Sequence, residues 1–204
     1  MNIAIFGGSF NPPHLGHLEA ARAVEEELAP DKLLIIPANI PPHKAMEEGS
    51  PSPEERMELC RLNFASVRGA EVSDIEIRRE GKSYTADTLE ELMAQYPGAE
   101  FTFLLGTDML LTFEEWYRYR FLLENMTLAV LARREGDETD IVRRAEYLRN
   151  EYGAKIVFIR REPTPMASTD IRELLRRRSG ASYLDDAVYA RIMKTRDYRS
   201  EEHT

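Results

Sequence analysis

The chain has 204 residues, 43% apolar and 31% charged, with 27 basic against 36 acidic residues and a formal net charge of −9. That balance excludes a disordered or fibrous chain and disfavours a broad nucleic-acid or anionic-membrane surface, so an anionic ligand has to be met by a local basic cluster. One cysteine, Cys60, excludes an internal disulfide and a cysteine-rich metal site, and no apolar run has membrane-spanning length or the pattern of a signal peptide. The expectation is one soluble, cytoplasmic domain over residues 1–204, without nucleic-acid or membrane partners, and with a homo-oligomer left open.

Asn2-Ile3-Ala4-Ile5-Phe6 is a short apolar run suited to a buried parallel strand, and Leu18, Ala21, Val24 and Leu28 then recur at helical spacing. Between them lies Gly7-Gly8-Ser9-Phe10-Asn11-Pro12-Pro13-His14-Leu15-Gly16-His17. A second strand is predicted at residues 32–37, followed by a loop over residues 38–52 that carries Pro41-Pro42-His43-Lys44. Loops of that length in compact domains usually bind or cover something. Ser52-Pro53-Glu54-Glu55 forms a capping box ahead of a helix whose stripe is Met57, Cys60, Phe64 and Val67. Cys60 on that stripe is a packing residue.

Residues 72–77 alternate as a third, edge strand, and a polar turn over residues 81–88 opens a helix with Leu89, Leu92, Met93 and Tyr96 on one side. The fourth strand covers residues 101–105 and ends in Gly106-Thr107-Asp108, before an aromatic-rich helix around Trp116. Residues 127–131 and 155–159 are the fifth and sixth strands, separated by a helix over residues 140–152 with Ile141, Ala145, Leu148 and Tyr152 inward. A proline-broken loop leads to Ser168-Thr169-Asp170-Ile171-Arg172, where Ser168 or Thr169 is expected to cap a helix running to about residue 178. A last helix starts near residue 185, and the tail over residues 196–204 is expected to fray.

Strands alternating with helices about six times predict an α/β fold, a Rossmann-like doubly wound parallel sheet with helices on both faces and a small C-terminal helical part over residues 168–195. In the usual strand order the first and fourth strands adjoin at the switch point, which brings residues 7–17 and Gly106-Thr107-Asp108 to one crevice. A phosphate suits that crevice. Glycines allow close backbone approach, and a helix N-terminus directs N–H groups and positive dipole at an anion. His14 and His17, three residues apart, share a helix face. A zinc site lacks further ligands at recognisable spacing, and G-G-S-F is not a dinucleotide fingerprint; imidazoles that hydrogen-bond phosphate oxygens as charge builds fit better.

The residue 7–17 stretch resembles the G-G-[ST]-F-[DN]-P-x-H-x-G-H signature of the nucleotidylyltransferase superfamily, and Ser168-Thr169-Asp170-Ile171-Arg172 resembles its second signature, S-T-x-I-R. Within the superfamily, Pro41-Pro42-His43-Lys44, Ser83-Tyr84-Thr85-Ala86-Asp87-Thr88-Leu89, Gly106-Thr107-Asp108 and Trp116 are similar to the bacterial nicotinate-nucleotide adenylyltransferases, with a likeness from Met1 to about Tyr189. The resemblance implies transfer of AMP from ATP to nicotinate mononucleotide, giving deamido-NAD and pyrophosphate with Mg²⁺ held through substrate phosphates. It implies catalytic roles for His14, His17, Lys44 and Arg172, the last clamping the leaving pyrophosphate. It implies ATP contacts from Gly7, Gly8, Ser9, Phe10, Gly16, Gly106, Asp108, Arg133, Ser168 and Thr169, and acceptor contacts from His43, Thr85 and Trp116. Taken as residues alone, Thr85 is an N-cap, Asp108 a turn residue and Trp116 as much core as ring platform. Met166-Ala167 stands where the second signature usually has Ile-Ser, and Arg133-Arg134 where Arg-Pro is common.

Two alternatives accompany this expectation. One is another transferase of the superfamily, acting on phosphopantetheine, nicotinamide mononucleotide or a CTP-dependent acceptor; the other is a non-catalytic nucleotide sensor. A synthetase domain, which also uses H-x-G-H, needs a K-M-S-K-S-like loop that the chain lacks.

Overall fold

The computed structural model describes residues 1–42, 46–132, 138–160 and 167–198. Six strands form one sheet: β1 (Asn2–Gly8), β2 (Lys32–Pro37), β3 (Ala70–Val72), β4 (Glu100–Gly106), β5 (Met126–Ala132) and β6 (Lys155–Arg160). All neighbours are parallel, in the order β3-β2-β1-β4-β5-β6. This is the Rossmann order, and β1 lies beside β4 at the point where the order reverses, as the alternation of elements predicts.

Period-two alternation sorts the strand residues onto two faces. Ile3 and Ile5 of β1, with Phe101, Phe103 and Leu105 of β4, pack under α3 (Thr85–Gln95), α4 (Thr107–Leu111), α5 (Tyr119–Asn125) and α6 (Glu138–Tyr152). Ala4 and Phe6, with Leu33 and Ile35, pack against Leu18, Ala21 and Val24 of α1 (Leu15–Leu28) and Cys60 of α2 (Pro53–Asn63). A third cluster joins Leu59 of α2 to Ile171 and Leu175 of α7 (Ser168–Arg176), Val188 and Ile192 of α8 (Asp186–Thr195), and Tyr198. Truncating any of these buried aliphatics to alanine costs about 2–5 kcal/mol by lost transfer energy and cavity formation. No helix among the described residues is long and apolar enough to cross a membrane.

Four expectations need correction. The third strand is shorter and earlier, at Ala70–Val72; residues 74–78 instead form a turn closed by Arg78 N–H to Asp74 C=O at 2.9 Å, which buries Ile75 and Glu76. Trp116 is not within a helix: a 3₁₀ turn, Phe113–Glu115, ends at it, and α5 starts only after Arg118 at φ 55°. The cap of α7 is Ala167, whose N–H donates to the Asp170 carboxylate at 3.2 Å, leaving Ser168 and Thr169 inside the first turn. Residues 196–198 do not fray, because Tyr198 is buried and its N–H donates to Gly49 C=O at 3.2 Å. The residue 163–165 prolines lie outside the described residues, and among the rest of the 38–52 loop the only strand-like feature is a bridge between Ile40 and Lys82.

Candidate active site

β1 delivers Gly7 and Gly8 to the crevice at the carboxyl edge of the sheet, and the chain then turns into α1 with His14 as its extended N-cap and His17 in the first turn. The two imidazoles lie with ring centroids 3.8 Å apart. His17 packs on Phe6 and Phe10, at 5.9 and 5.1 Å between centroids, and its Nδ1 accepts the His14 backbone N–H at 3.2 Å. An accepting Nδ1 puts the proton of the neutral ring on Nε2, so His17 presents a donor there. Burial lowers the His14 pKa to about 4, partly offset by Glu19, and burial followed by the neighbouring His14 holds His17 well below the usual imidazole range. Both rings are therefore neutral at pH 7, one of them with a buried Nδ1, that of His14, lacking a hydrogen-bond partner.

The second motif meets the first. Ser168 Oγ donates to Pro12 C=O at 3.2 Å, and Arg172 Nη1 donates to Asn11 C=O at 2.7 Å. The remaining Arg172 contacts are to the Glu47 carboxylate, through Nε at 3.1 Å and through Nη2, and to Thr169 Oγ1 at 3.1 Å. Arg176 Nη2 also reaches Glu47, at 3.0 Å. Arg172 is 1% exposed, and a buried guanidinium must be paired. The expected open clamp for pyrophosphate is thus a guanidinium committed to Glu47 and to the loop of the first motif. The Ser168 and Thr169 hydroxyls are likewise engaged within the protein. Asn11 Nδ2 donates to Ser50 Oγ at 2.8 Å, so residues 47–50 are fastened to both motifs.

Beside Gly7, Gly8 and Ser9 opens a pocket of about 230 Å³, whose far wall includes Thr85, Trp116 and Tyr117. The Trp116 ring lies flat against Phe113 at 5.0 Å and 24°, meets Phe103 edge-on at 5.8 Å, and lines the pocket, so core support and platform are the same residue. Thr85 is the first residue of α3, not its cap; Tyr84 holds the cap position and pairs with Tyr117 at 4.8 Å. Phe10, expected among the ATP contacts, is 1% exposed at φ 44°, and its ring packs with Phe6 and Phe64 in the core. Gly16 lies within the first turn of α1. Gly106 caps α4, and a Cβ on it would sit 2.6 Å from Asp108 Oδ1, so the glycine makes room for that carboxylate. His43, Lys44 and Arg133 lie outside the described residues.

Three features escape the sequence reading. Arg56 is 1% exposed and donates to Ser9 C=O and Ala38 C=O, both at 2.7 Å, and to Asn39 C=O at 3.3 Å, which ties the first motif to the loop after β2. Its signal was present, because it lies four residues before Cys60 on the apolar stripe of α2. Glu47 carries no signal in a polar loop, and Glu76 has only a misleading one, because the alternation around it reads as an edge strand.

A family model described as cytidylyltransferase-like matches residues 5–174, which include both motifs. A probable nicotinate-nucleotide adenylyltransferase of Carboxydothermus hydrogenoformans is 37% identical over 198 residues, covering 97% of this chain and 98% of that one. Another, from Fusobacterium nucleatum, is 38% identical over 185 residues, covering 90% and 92%. Among solved structures, Plasmodium falciparum nicotinic acid mononucleotide adenylyltransferase complexed with NaAD shares the fold, with a TM-score of 0.76 at 19% identity and 97% coverage of both chains. With two histidines at the switch point, a second motif fastened to them and a family match across five-sixths of its length, the chain belongs to the cytidylyltransferase-like family.

Proposed function

We propose that the protein transfers AMP from ATP to nicotinate mononucleotide, releasing pyrophosphate and forming deamido-NAD. The observation that carries this reading is the junction at Gly7, Gly8 and Ser9. One side of that stretch runs into two neutral imidazoles at a helix N-terminus, and the other lines an aromatic-walled pocket of a size for one substituted ring. The full-length similarity to relatives named as probable nicotinate-nucleotide adenylyltransferases supports the choice of substrates.

The reaction joins the acceptor's 5′-phosphate oxygen to the α-phosphorus of ATP and breaks the bond to the bridging oxygen of pyrophosphate. The attacking oxygen is already anionic, so no general base is required, and catalysis is positioning plus stabilisation of spreading charge. His17 donates its Nε2–H to a phosphate oxygen, His14 takes a neighbouring one, and the N-terminus of α1 lies behind both. Neutral rings suit this, since the Nε2–H of His17 remains a donor without charge and the approaching phosphates favour protonation. Arg172 acts as a positioning residue, holding Asn11 C=O and placing positive charge near the phosphates. Gly106 and Asp108 receive the ribose of ATP, Trp116 supports the pyridine ring, and the first turn of α3 at Thr85 offers backbone N–H groups to its carboxylate. Lys44 and His43 follow Pro41 and Pro42 in the sequence, and we assign Lys44 to the phosphates and His43 to the acceptor. In this reading Mg²⁺ is carried in on the substrate phosphates and keeps mostly water ligands.

The test is pyrophosphate release from Mg-ATP with nicotinate mononucleotide, nicotinamide mononucleotide and phosphopantetheine offered separately. Release should be fastest with the first. Preference for either other acceptor refutes the assignment, and no release with any of them favours a sensor.

A further inference from the structure

The pocket wall carries one carboxyl group among the described residues, Glu76. It is 7% exposed. Its carboxylate receives the Thr88 hydroxyl at 2.8 Å, and the Ser83 hydroxyl beside it pulls its pKa down. Both hydroxyls are engaged a second time. Ser83 Oγ accepts the Asn39 backbone N–H at 2.9 Å, which leaves its own proton for Glu76, and Thr88 Oγ1 accepts from Arg79 Nη2 at 2.8 Å. Asn39 Nδ2 donates to Arg79 C=O at 3.1 Å, and Ser83 N–H donates to Ile40 C=O at 2.9 Å.

One carboxyl group therefore ties three segments that are far apart in sequence: the loop after β2, the turn at residues 74–79, and the turn that opens α3. Each supplies pocket wall, through Pro41 and Pro42, through Glu76 itself, and through Tyr84 and Thr85. Burial pushes the Glu76 carboxyl above the usual carboxylate range, against the pull of the two hydroxyls and Arg79. A hydrophobic residue of similar volume avoids that cost, so burial of Glu76 is set against the hydrogen bonds it makes.

We propose that Glu76 is a positioning residue for the acceptor: by holding Ser83 and Thr88 it sets the distance between the first turn of α3 and the opposite Pro41-Pro42 wall, and with it the fit of the acceptor's substituted ring. This rests on reading the pocket as the acceptor site. The network meets the first motif at Arg56, which donates to Asn39 C=O at 3.3 Å and to Ser9 C=O at 2.7 Å, while the hydroxyl partner of Glu76, Thr88, belongs to the pocket side of the crevice.

The experiment compares Glu76→Ala, Glu76→Gln, Ser83→Ala and the Glu76→Ala/Ser83→Ala pair, with separate KM values for ATP and acceptor, kcat, and thermal unfolding. Glu76→Ala should raise the acceptor KM about tenfold, the scale of buried hydroxyls left unsatisfied, with the ATP KM within about twofold. Glu76→Gln, which keeps a carbonyl acceptor, should restore most of the loss. Ser83→Ala should add little to Glu76→Ala, because Ser83 acts on the acceptor through Glu76. A parallel rise in both KM values, an unchanged acceptor KM, or full additivity overturns the proposal. If Glu76→Ala does not fold, Ser83→Ala must show the acceptor-only rise in KM and Glu76→Gln an acceptor KM near wild type; any other result overturns the proposal. If the wild type prefers another acceptor, the functional reading fails and the same split is read with that acceptor; if it uses nicotinate mononucleotide and the KM stays fixed, only the role of Glu76 fails.

Discussion

Gly106→Ala separates a ligand contact from a structural one with a single methyl group. The backbone there, at φ −78° and ψ 166°, is open to any residue, so alanine introduces no strain. Its Cβ would stand 2.6 Å from Asp108 Oδ1, too close to coexist with the present rotamer. Asp108 is exposed and its carboxylate is the end of a rotatable side chain, so it can swing toward solvent. The fold should keep its stability or gain about 0.4–1 kcal/mol from a less flexible unfolded chain. If Asp108 accepts a ribose hydroxyl, displacing it removes a hydrogen bond to a charged group worth about 1.5–3 kcal/mol, or roughly one to two powers of ten in ATP affinity. Initial rates at varied ATP and fixed acceptor, with a melting curve, measure both quantities. The expected result is an unchanged or slightly higher Tm, an ATP KM raised about tenfold or more, and an acceptor KM close to wild type. A wild-type ATP KM in Gly106→Ala refutes the ribose contact.

Two further outcomes follow from the histidines. His17→Ala should lose about two to three powers of ten in kcat, as for removal of a donor to a transition-state oxyanion, while a melting curve shows the fold intact; near-normal turnover sinks the mechanism. Acid should also weaken the fold. Because the His14 pKa is lowered to about 4 in the folded protein, the unfolded chain binds more protons between that value and about 6.5, so stability present at neutral pH is lost as pH falls through this window. Between pH 7 and 5 the contribution is about 2 kcal/mol, and urea unfolding of His14→Gln should lack that part of the loss. Equal acid sensitivity in the two proteins contradicts a buried neutral His14.

Much of the layout is legible in the sequence because parallel-strand runs and helix stripes are local patterns, and the adjacency of β1 and β4 follows from their alternation. The misreadings share a cause. At residues 74–77 the alternation of Ile75, Glu76 and Ile77 matches a strand, yet a turn closed by Arg78 satisfies the same burial. Around Trp116, aromatic density suggests a helix, whereas the ring is held at a break between a 3₁₀ turn and α5. The two motifs are visible as strings; what the Arg172 guanidinium touches is not, because Glu47 comes from a loop without periodicity and 125 positions away. Buried polar hubs such as Arg56 and Glu76 depend on which carbonyls and hydroxyls tertiary contacts bring to them, and only Arg56 betrays itself by standing on an apolar stripe.

The bonds from Ser168 to Pro12 and from Arg172 to Asn11 cross 156 and 161 positions of the chain. During synthesis β1 and its two histidines emerge first, yet their loop stays unfastened until α7 has been made and has docked. A nascent chain can thus complete all six strands of its sheet before the loop that carries its histidines is fastened. Contacts of such separation are the slowest to form, since chain entropy is lost before they reward it. After refolding, recovery of turnover is therefore a clock for the arrival of α7, and it runs behind any signal that reports the sheet alone.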